Sequence, residues 1–345
     1  MASTSNRVSA CVIGAGSWGT ALAHHLAGLG HQVRLWAFEP PVAAAINQQH
    51  ENTLYLPGAA LNPAIEAHHD LASALAGAGL VLLVMPSHVF RAVLSQAAPH
   101  LPLAALVVSC TKGIEQETSY TMCEVAEEVL DKSLHRRLCC LSGPSFAKEV
   151  ALGVPTAVTV ASRVAEAAQR VQLALASAAF RVYTSPDLPG VELGGAVKNP
   201  LAIAAGMVAG LTLGHNTLAA LITRGLAEMT RLAMARGGQP TTLSGLAGLG
   251  DLVLTCTSPQ SRNYSVGARL AQGETIEQIT SSMPNVAEGV RNTRTVLGLA
   301  EDAQVEMPII QAVYRVIYQG QHPRQALHEL MTRDLKAEHC LNQQP

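Results

Sequence analysis

The sequence predicts an α/β domain built on a parallel sheet, followed by an all-α domain. Three features carry that prediction. Apolar strand patterns alternate with helical ones up to about residue 185, a glycine-rich turn joins the first strand to the first helix, and strand patterns fade beyond a break at Pro186, Pro189 and Gly190. At 345 residues the chain exceeds the length at which one hydrophobic core usually stops growing, so two domains are expected, 1–189 and 190–345.

Val8 to Ile13 reads as a buried strand. Thr20 to Leu29 reads as a helix with Leu22, Leu26 and Leu29 on one face, closed by Gly30, and Val33 to Ala37 as a second strand. Strands at Leu80–Met85, Leu106–Cys110 and Leu138–Leu141 follow, separated by helices near Val89–Gln96 and Tyr120–Leu130. Thr156–Val160 and Phe180–Tyr183 flank an Ala-rich helix, and repeated strand-helix units imply a parallel sheet. Beyond the break, Ala/Leu spacing to Ala235, a helix around Val266–Gln272 and amphipathic stretches from Ala287 to Gln319 predict helices alone.

Composition narrows the function. The chain is 48% hydrophobic but 3% aromatic, with 23 Lys plus Arg against 25 Asp plus Glu and no long run of either sign. That excludes a nucleic-acid or membrane-surface footprint and leaves anions to be held by local positive groups. Leu201 to Gly214, the longest apolar stretch, is too short to span a bilayer. The polar opening MASTSNRVSA lacks a secretory apolar region, which points to the cytoplasm. The seven cysteines, Cys11, Cys110, Cys123, Cys139, Cys140, Cys256 and Cys340, form no Cys-x-x-Cys pair and read as buried thiols. No His-Glu-x-x-His or Cys/His cluster suggests a metal, and Ser145 lacks the Gly-x-Ser-x-Gly setting of a hydrolase nucleophile.

Gly14-Ala-Gly16-Ser-Trp-Gly19 lies between the first strand and the first helix, the setting of a Rossmann dinucleotide site. One glycine allows the tight turn, one lets backbone approach the pyrophosphate, and one lets helix and strand pack closely. Glu39 falls where an acidic residue meets the adenosine ribose, or is a solvated loop charge. Phe38 is placed to pack on adenine, and no Arg lies between Leu35 and Pro40 to hold a 2'-phosphate. NAD and NADP both remain candidate cofactors, with a lean to NAD.

Further segments follow in order: VMPSH at 84–88, TKG at 111–113, SGPSFAKE at 142–149, LGGAVKN at 193–199, LAGLGDL at 246–252, SRN at 261–263 and AEGVRNT at 287–293. With GAGSWGTALA they make the chain resemble the bacterial-type NAD(P)-dependent glycerol-3-phosphate dehydrogenases. The resemblance implies that Ser17, Trp18, Phe38, Ala147, Val286 and Glu288 line the cofactor beside the glycine turn, with Lys112 and Arg262 also in reach. It implies substrate contacts from Lys112, Gly143 and Ser145, and a catalytic Lys198 partnered by Asp251. It further implies a phosphate clamp from Ser261, Arg262 and Asn263, a homodimer, and a cytoplasmic role supplying glycerol 3-phosphate for phospholipid synthesis. A 3-hydroxy acid or phosphosugar acid is the alternative substrate, and a nucleotide-binding sensor the non-enzymatic one.

Hydride transfer to a ketone leaves negative charge on the carbonyl oxygen, so the site needs a donor that stabilises it. Lys198, among Val197, Leu201 and Ile203, should be desolvated and lowered in pKa, with Asp251 opposing the shift. Otherwise Lys198 would be a surface lysine and Asp251 a helix cap. Arg262 offers a planar fork to a phosphate, although Ser261 also suits a simple helix cap. Lys112, after the strand ending in Ser109-Cys110, falls at the carboxyl edge where parallel sheets bind ligands. Pro200 predicts an interruption beside Lys198, either a kink or a new helix beginning at Pro200 and capped by Asn199.

Overall fold

The computed structural model describes residues 7–283, 287–335 and 337–338. Its sheet comprises β1 (Ser9–Ile13), β2 (Gln32–Trp36), β3 (Ile65–His68), β4 (Leu80–Leu83), β5 (Leu106–Ser109), β6 (Leu138–Ser142), β7 (Thr156–Ala161) and β8 (Phe180–Ser185). The order in space is β3-β2-β1-β4-β5-β6-β7-β8. β1 to β6 pair in parallel, and the chain's progression across the sheet reverses between β1 and β4, where such sheets bind ligands. The runs LVLL of β4 and LVVS of β5 are buried throughout, because α1 (Ser17–Gly28), α2 (Pro40–Gln49), α3 (Leu71–Leu75), α4 (Phe90–Ala97), α5 (Met122–Val129), α6 (Lys132–His135), α7 (Ala147–Ala151) and α8 (Ala165–Leu175) flank the sheet.

Side chains on neighbouring strand positions go to opposite faces, so Cys139 and Cys140 join different cores. Burial pushes the Cys139 thiol up to about 12 and Cys140 well above its usual value, which keeps both thiols protonated. Cys11, Cys110, Cys123 and Cys256 are buried free thiols as well, and Cys340 lies outside the described residues.

The sheet departs from expectation twice. β3 was not foreseen: IEAH alternates buried and less buried positions over only four residues at the sheet edge. β7 runs antiparallel to β6, with β8 parallel to β7, so the sheet is not wholly parallel. A parallel return needs a crossover, usually a long helix. Between Ser142 and Thr156 the chain forms only the five-residue α7, and it turns back at the same end of the sheet.

From α9 (Leu188–Gly210) onward the described residues are helical: α10 (Gly214–Ala235), α11 (Pro240–Leu243), α12 (Asp251–Thr257), α13 (Arg262–Ala271), α14 (Ile276–Ser282), α15 (Glu288–Asp302), α16 (Pro308–Gln319) and α17 (Pro323–Met331). No helix among them is long and apolar enough to cross a membrane. α9 is buried almost from end to end, as befits a helix apolar on all sides. Asp187 caps it by accepting from the Gly190 amide at 2.9 Å. Gly267 of α13 lies so close that a Cβ there would sit 1.8 Å from the Ile203 carbonyl oxygen, so the two helices meet backbone to backbone.

The expected interruption at Pro200 is absent; α9 runs through it. Proline has no N–H to give the Ala196 carbonyl four residues back. Asn292 of α15, itself buried, supplies a side-chain donor to that oxygen at 3.5 Å, which replaces part of what is lost. Asn292→Leu is therefore expected to cost about 1–3 kcal/mol by leaving a buried carbonyl unpaired. A lower urea midpoint at unchanged slope would show it; an unchanged midpoint would mean that the contact contributes nothing.

Candidate active site

Each glycine of the turn has a distinct physical reason. Gly14 has φ +116°, and a Cβ there would meet the Val84 carbonyl oxygen at 2.8 Å; a Cβ on Gly19 would lie 1.8 Å from the Gly14 oxygen. Gly16 has no such neighbour within 4 Å, so open space lies beside it. α1 starts immediately after, with no side chain capping its amides. Free donors, a positive helix end and room for close approach fit a pyrophosphate.

The surroundings tie this turn to the end of β2. Ser17 Oγ donates to the Tyr55 carbonyl at 2.5 Å, and the Tyr55 hydroxyl donates to Glu39 Oε1 at 2.7 Å. Burial and the facing Glu39 carboxylate push the Tyr55 hydroxyl up to about 12, so it remains a donor. Phe38 is 69% exposed, with its ring edge-on to Trp36, while Trp18 packs against the sheet core. Glu288, first residue of α15, accepts from the Ser87 amide at 3.2 Å and hydroxyl at 2.7 Å, which brings the helical region to the carboxyl end of β4. Ala147 opens α7 and packs against the same core as Trp18. Val286 lies outside the described residues.

Lys198, Asp251 and Lys112 come together from three separate elements. Asp251 begins α12 directly after a π-helical turn at Leu246–Gly250, a local irregularity often found at functional sites. Its carboxylate is 1% exposed and accepts from Lys112 Nζ through Oδ2 at 2.6 Å and from Lys198 Nζ through Oδ1. Lys198 is not a surface lysine: it is 6% exposed and also donates to Thr255 Oγ1 at 2.7 Å. Burial lowers its pKa to about 8; Asp251 opposes the shift and Lys112 adds to it. Burial also works to raise Asp251, but the two ammonium groups outweigh it and hold the carboxyl below its usual range. The result is a buried amine poised near neutrality.

Lys112 also donates to the Gly143 carbonyl at 3.1 Å, which Ser145 Oγ shares at the same distance. Gly143 has φ +137°, and a Cβ would press on Val158 Cα at 3.0 Å. Ser261 caps α13 by accepting from the Tyr264 amide at 3.2 Å. Asn263 is buried, donating to Asn199 Oδ1 at 3.0 Å and accepting from the Gly289 amide at 2.9 Å, so one amide hydrogen remains available. Arg262 at the start of α13 is exposed, and among the described residues nothing hydrogen-bonds its guanidinium. Thr255 was missed in the sequence, although its i+4 spacing from Asp251 places both on one face of α12.

Comparison with known proteins bears on this arrangement. The family model described as NAD-dependent glycerol-3-phosphate dehydrogenase N-terminus matches residues 9–168, and its C-terminus counterpart matches 187–328. A glycerol-3-phosphate dehydrogenase [NAD(P)+] of Geobacter sp. (strain M21) is 53% identical over 327 residues, covering 95% of this chain and 98% of that protein. The chain belongs to the NAD-dependent glycerol-3-phosphate dehydrogenase family. Another relative with that name, from Anaeromyxobacter dehalogenans, is 53% identical over 329 residues, with 95% and 99% coverage. Among solved structures, the glycerol-3-phosphate dehydrogenase of Coxiella burnetii superimposes with a TM-score of 0.90 at 40% identity, covering 95% of this chain and 99% of that one. A D-mandelate dehydrogenase matches at 12% identity and TM-score 0.61, a likeness of fold alone. Within the glycerol-3-phosphate dehydrogenase family, this chain's Lys198–Asp251–Lys112 cluster lies where helical and sheet regions meet.

Proposed function

We propose that this chain interconverts sn-glycerol 3-phosphate and dihydroxyacetone phosphate with NAD(P)(H), using Lys198 as general acid and base. The supporting observation is the buried Lys198 amine held by Asp251 and Thr255 beside Lys112. When bound, the reduced nicotinamide supplies the hydride that C2 of the ketone receives. Lys198 gives its proton to the carbonyl oxygen, yielding the alcohol, and takes it back in the reverse direction. Asp251 orients Lys198 and Lys112 and balances their charge. Arg262, with Ser261 and Asn263, holds the phosphate; Gly143 and Ser145 shape the substrate wall. Gly14, Gly16, Ser17, Trp18, Gly19, Phe38, Ala147 and Glu288 line the cofactor, with Lys112 and Arg262 at the junction. In this reading 1–189 binds nucleotide, 190–345 completes the substrate site, and a cytoplasmic homodimer supplies glycerol 3-phosphate for phospholipid synthesis.

NADH or NADPH oxidation with dihydroxyacetone phosphate tests the activity. Turnover confined to a 3-hydroxy acid or phosphosugar acid would overturn the substrate assignment. Arg262→Ala is expected to lower kcat/KM for dihydroxyacetone phosphate about tenfold to a hundredfold, from loss of a charge-assisted hydrogen bond of roughly 1.5–3 kcal/mol. An equal loss with unphosphorylated dihydroxyacetone would contradict a phosphate role. The pH dependence has opposite signs in the two directions. Reduction needs protonated Lys198 and should fall as pH rises through about 8, whereas oxidation needs the neutral amine and should rise there. Parallel profiles in both directions would remove Lys198 from proton transfer.

A further inference from the structure

Glu192 is a buried carboxylate that the reaction itself does not use. It lies on α9, the helix that carries Lys198, and is 7% exposed. Its Oε1 accepts from the Cys123 amide at 2.8 Å, in the first turn of α5, and the Thr121 hydroxyl and Cys123 thiol also donate to it. A carboxylate in that place meets the positive end of a helix, so the contact seats α9 on the amino end of α5.

The same end of α5 is tied to Lys112. From Lys112 the chain reaches Thr121 through an antiparallel bridge between Ile114 and Thr121, with the Glu115 amide donating to the Tyr120 carbonyl at 2.8 Å. Arg91 of α4 grips Glu115 through Nε at 2.8 Å and Nη2 at 2.7 Å, and this fork stiffens the segment. Further along α9, Gly195 passes the Lys112 stem so closely that a Cβ would lie 3.3 Å from Lys112 Cγ. Glu192 therefore joins the helix that bears Lys198 to the segment that bears Lys112, the two cations that share Asp251.

Burial pushes the Glu192 carboxyl up to about 7; the bonds from Cys123 and Thr121 oppose that rise, and the nearby Glu124 carboxylate adds to it. Cys140 of β6, also close, is a neutral thiol. A cavity of about 30 Å³ borders Glu192, lined by Thr121, Glu124, Arg163 and Arg236, and has room for a water that brings or removes a proton. Both arginines are already paired, Arg236 with Glu124 at 3.0 Å and Arg163 with Glu127. A proton taken up by Glu192 removes its charge from the end of α5 and weakens the joint.

We propose that Glu192 is a positioning residue: its ionised carboxylate holds α9 against α5 and so sets the approach of Lys198 and Lys112 to the substrate, and its protonation slackens that joint and slows hydride transfer in both directions. The inference rests on the dehydrogenase reading and adds a residue to the machinery of that site. A displacement of about 1 Å at a reacting group costs roughly a hundredfold in rate, so a smaller slackening is expected to cost about tenfold. The sign separates this role from proton transfer. Titration of Lys198 moves the two directions oppositely, whereas loss of the Glu192 charge lowers both as pH falls through about 7.

The test is stopped-flow hydride transfer in both directions, at saturating substrate and nucleotide, across the neutral pH range. Intact wild type and Glu192→Gln are compared, with thermal melting as a control for folding. Wild type is expected to lose about tenfold in both directions on acidification through about 7. Glu192→Gln keeps an acceptor for the Cys123 amide but no charge, so it should run about tenfold below wild type above neutral pH and show no such limb. Wild type without a limb common to both directions overturns the proposal. So does the same limb, unmoved, in folded Glu192→Gln, as a substrate phosphate with its second ionisation near ~6 would give. If Glu192→Gln does not fold, Glu192→Asp decides: the limb should shift with the shortened carboxylate, and an unmoved limb overturns the proposal. Folded wild type that transfers no hydride with either substrate would overturn the dehydrogenase reading, a result distinct from turnover whose pH profile ignores Glu192.

Discussion

Lys198→Ala is expected to lower kcat by about 100- to 10,000-fold, the usual worth of a positioned general acid, with the Kd for the nucleotide unchanged. The separation follows from the geometry. Lys198 touches Asp251 and Thr255 on α12, while the glycine turn, Ser17, Tyr55 and Glu39 are joined through contacts that do not include it. Stopped-flow measurement of hydride transfer, alongside nucleotide titration, reads the two effects independently. Near-normal hydride transfer would assign the proton to another donor. Parallel loss of nucleotide binding would assign Lys198 a structural role.

Asp251→Ala should be more damaging still, because it acts on stability and chemistry together. The substitution leaves the Lys198 ammonium buried and Lys112 part-buried, facing each other without the carboxylate between them. Removing one partner of a buried ion pair typically costs about 3–5 kcal/mol. The sign with pH is definite. Lys198 already has a native pKa lowered from 10.5 to about 8, and loss of Asp251 removes an influence that raises it. The native state of the variant therefore binds fewer protons than the unfolded chain across a wider alkaline range, and its stability should rise with pH through that range. The limb of the reduction rate controlled by Lys198 should also move to lower pH than in wild type. A urea midpoint independent of pH and equal to wild type would contradict the placement of Asp251 between two cations.

Much of this architecture was legible because local chemistry and context agreed. Gly14, Gly16 and Gly19 are informative between an apolar strand and an amphipathic helix, and the structure gives Gly14 and Gly19 a steric reason and leaves open space beside Gly16. Lys198 is different. Its apolar sequence neighbours suggested burial, but the partners that hold it lie 53 and 57 residues away, and no local pattern encodes their approach. Pro200 misled for the same reason, since the compensating donor Asn292 comes from α15, 96 residues beyond the carbonyl it serves. β3 went unseen because IEAH is short and half polar, and its edge position demands no continuous apolar run. The reversed direction of β7 could not be read from strand patterning, which is the same for either direction; only the shortness of α7 hinted at it.

The central claim is that the buried Lys198 amine meets the oxygen being converted. A crystal structure of the ternary complex with NAD and glycerol 3-phosphate tests it directly. Lys198 Nζ should lie about 2.6–3.2 Å from the C2 hydroxyl, with the guanidinium of Arg262 on the phosphate. Lys198 engaged only by Asp251 and Thr255, with that hydroxyl held by another side chain, would contradict it.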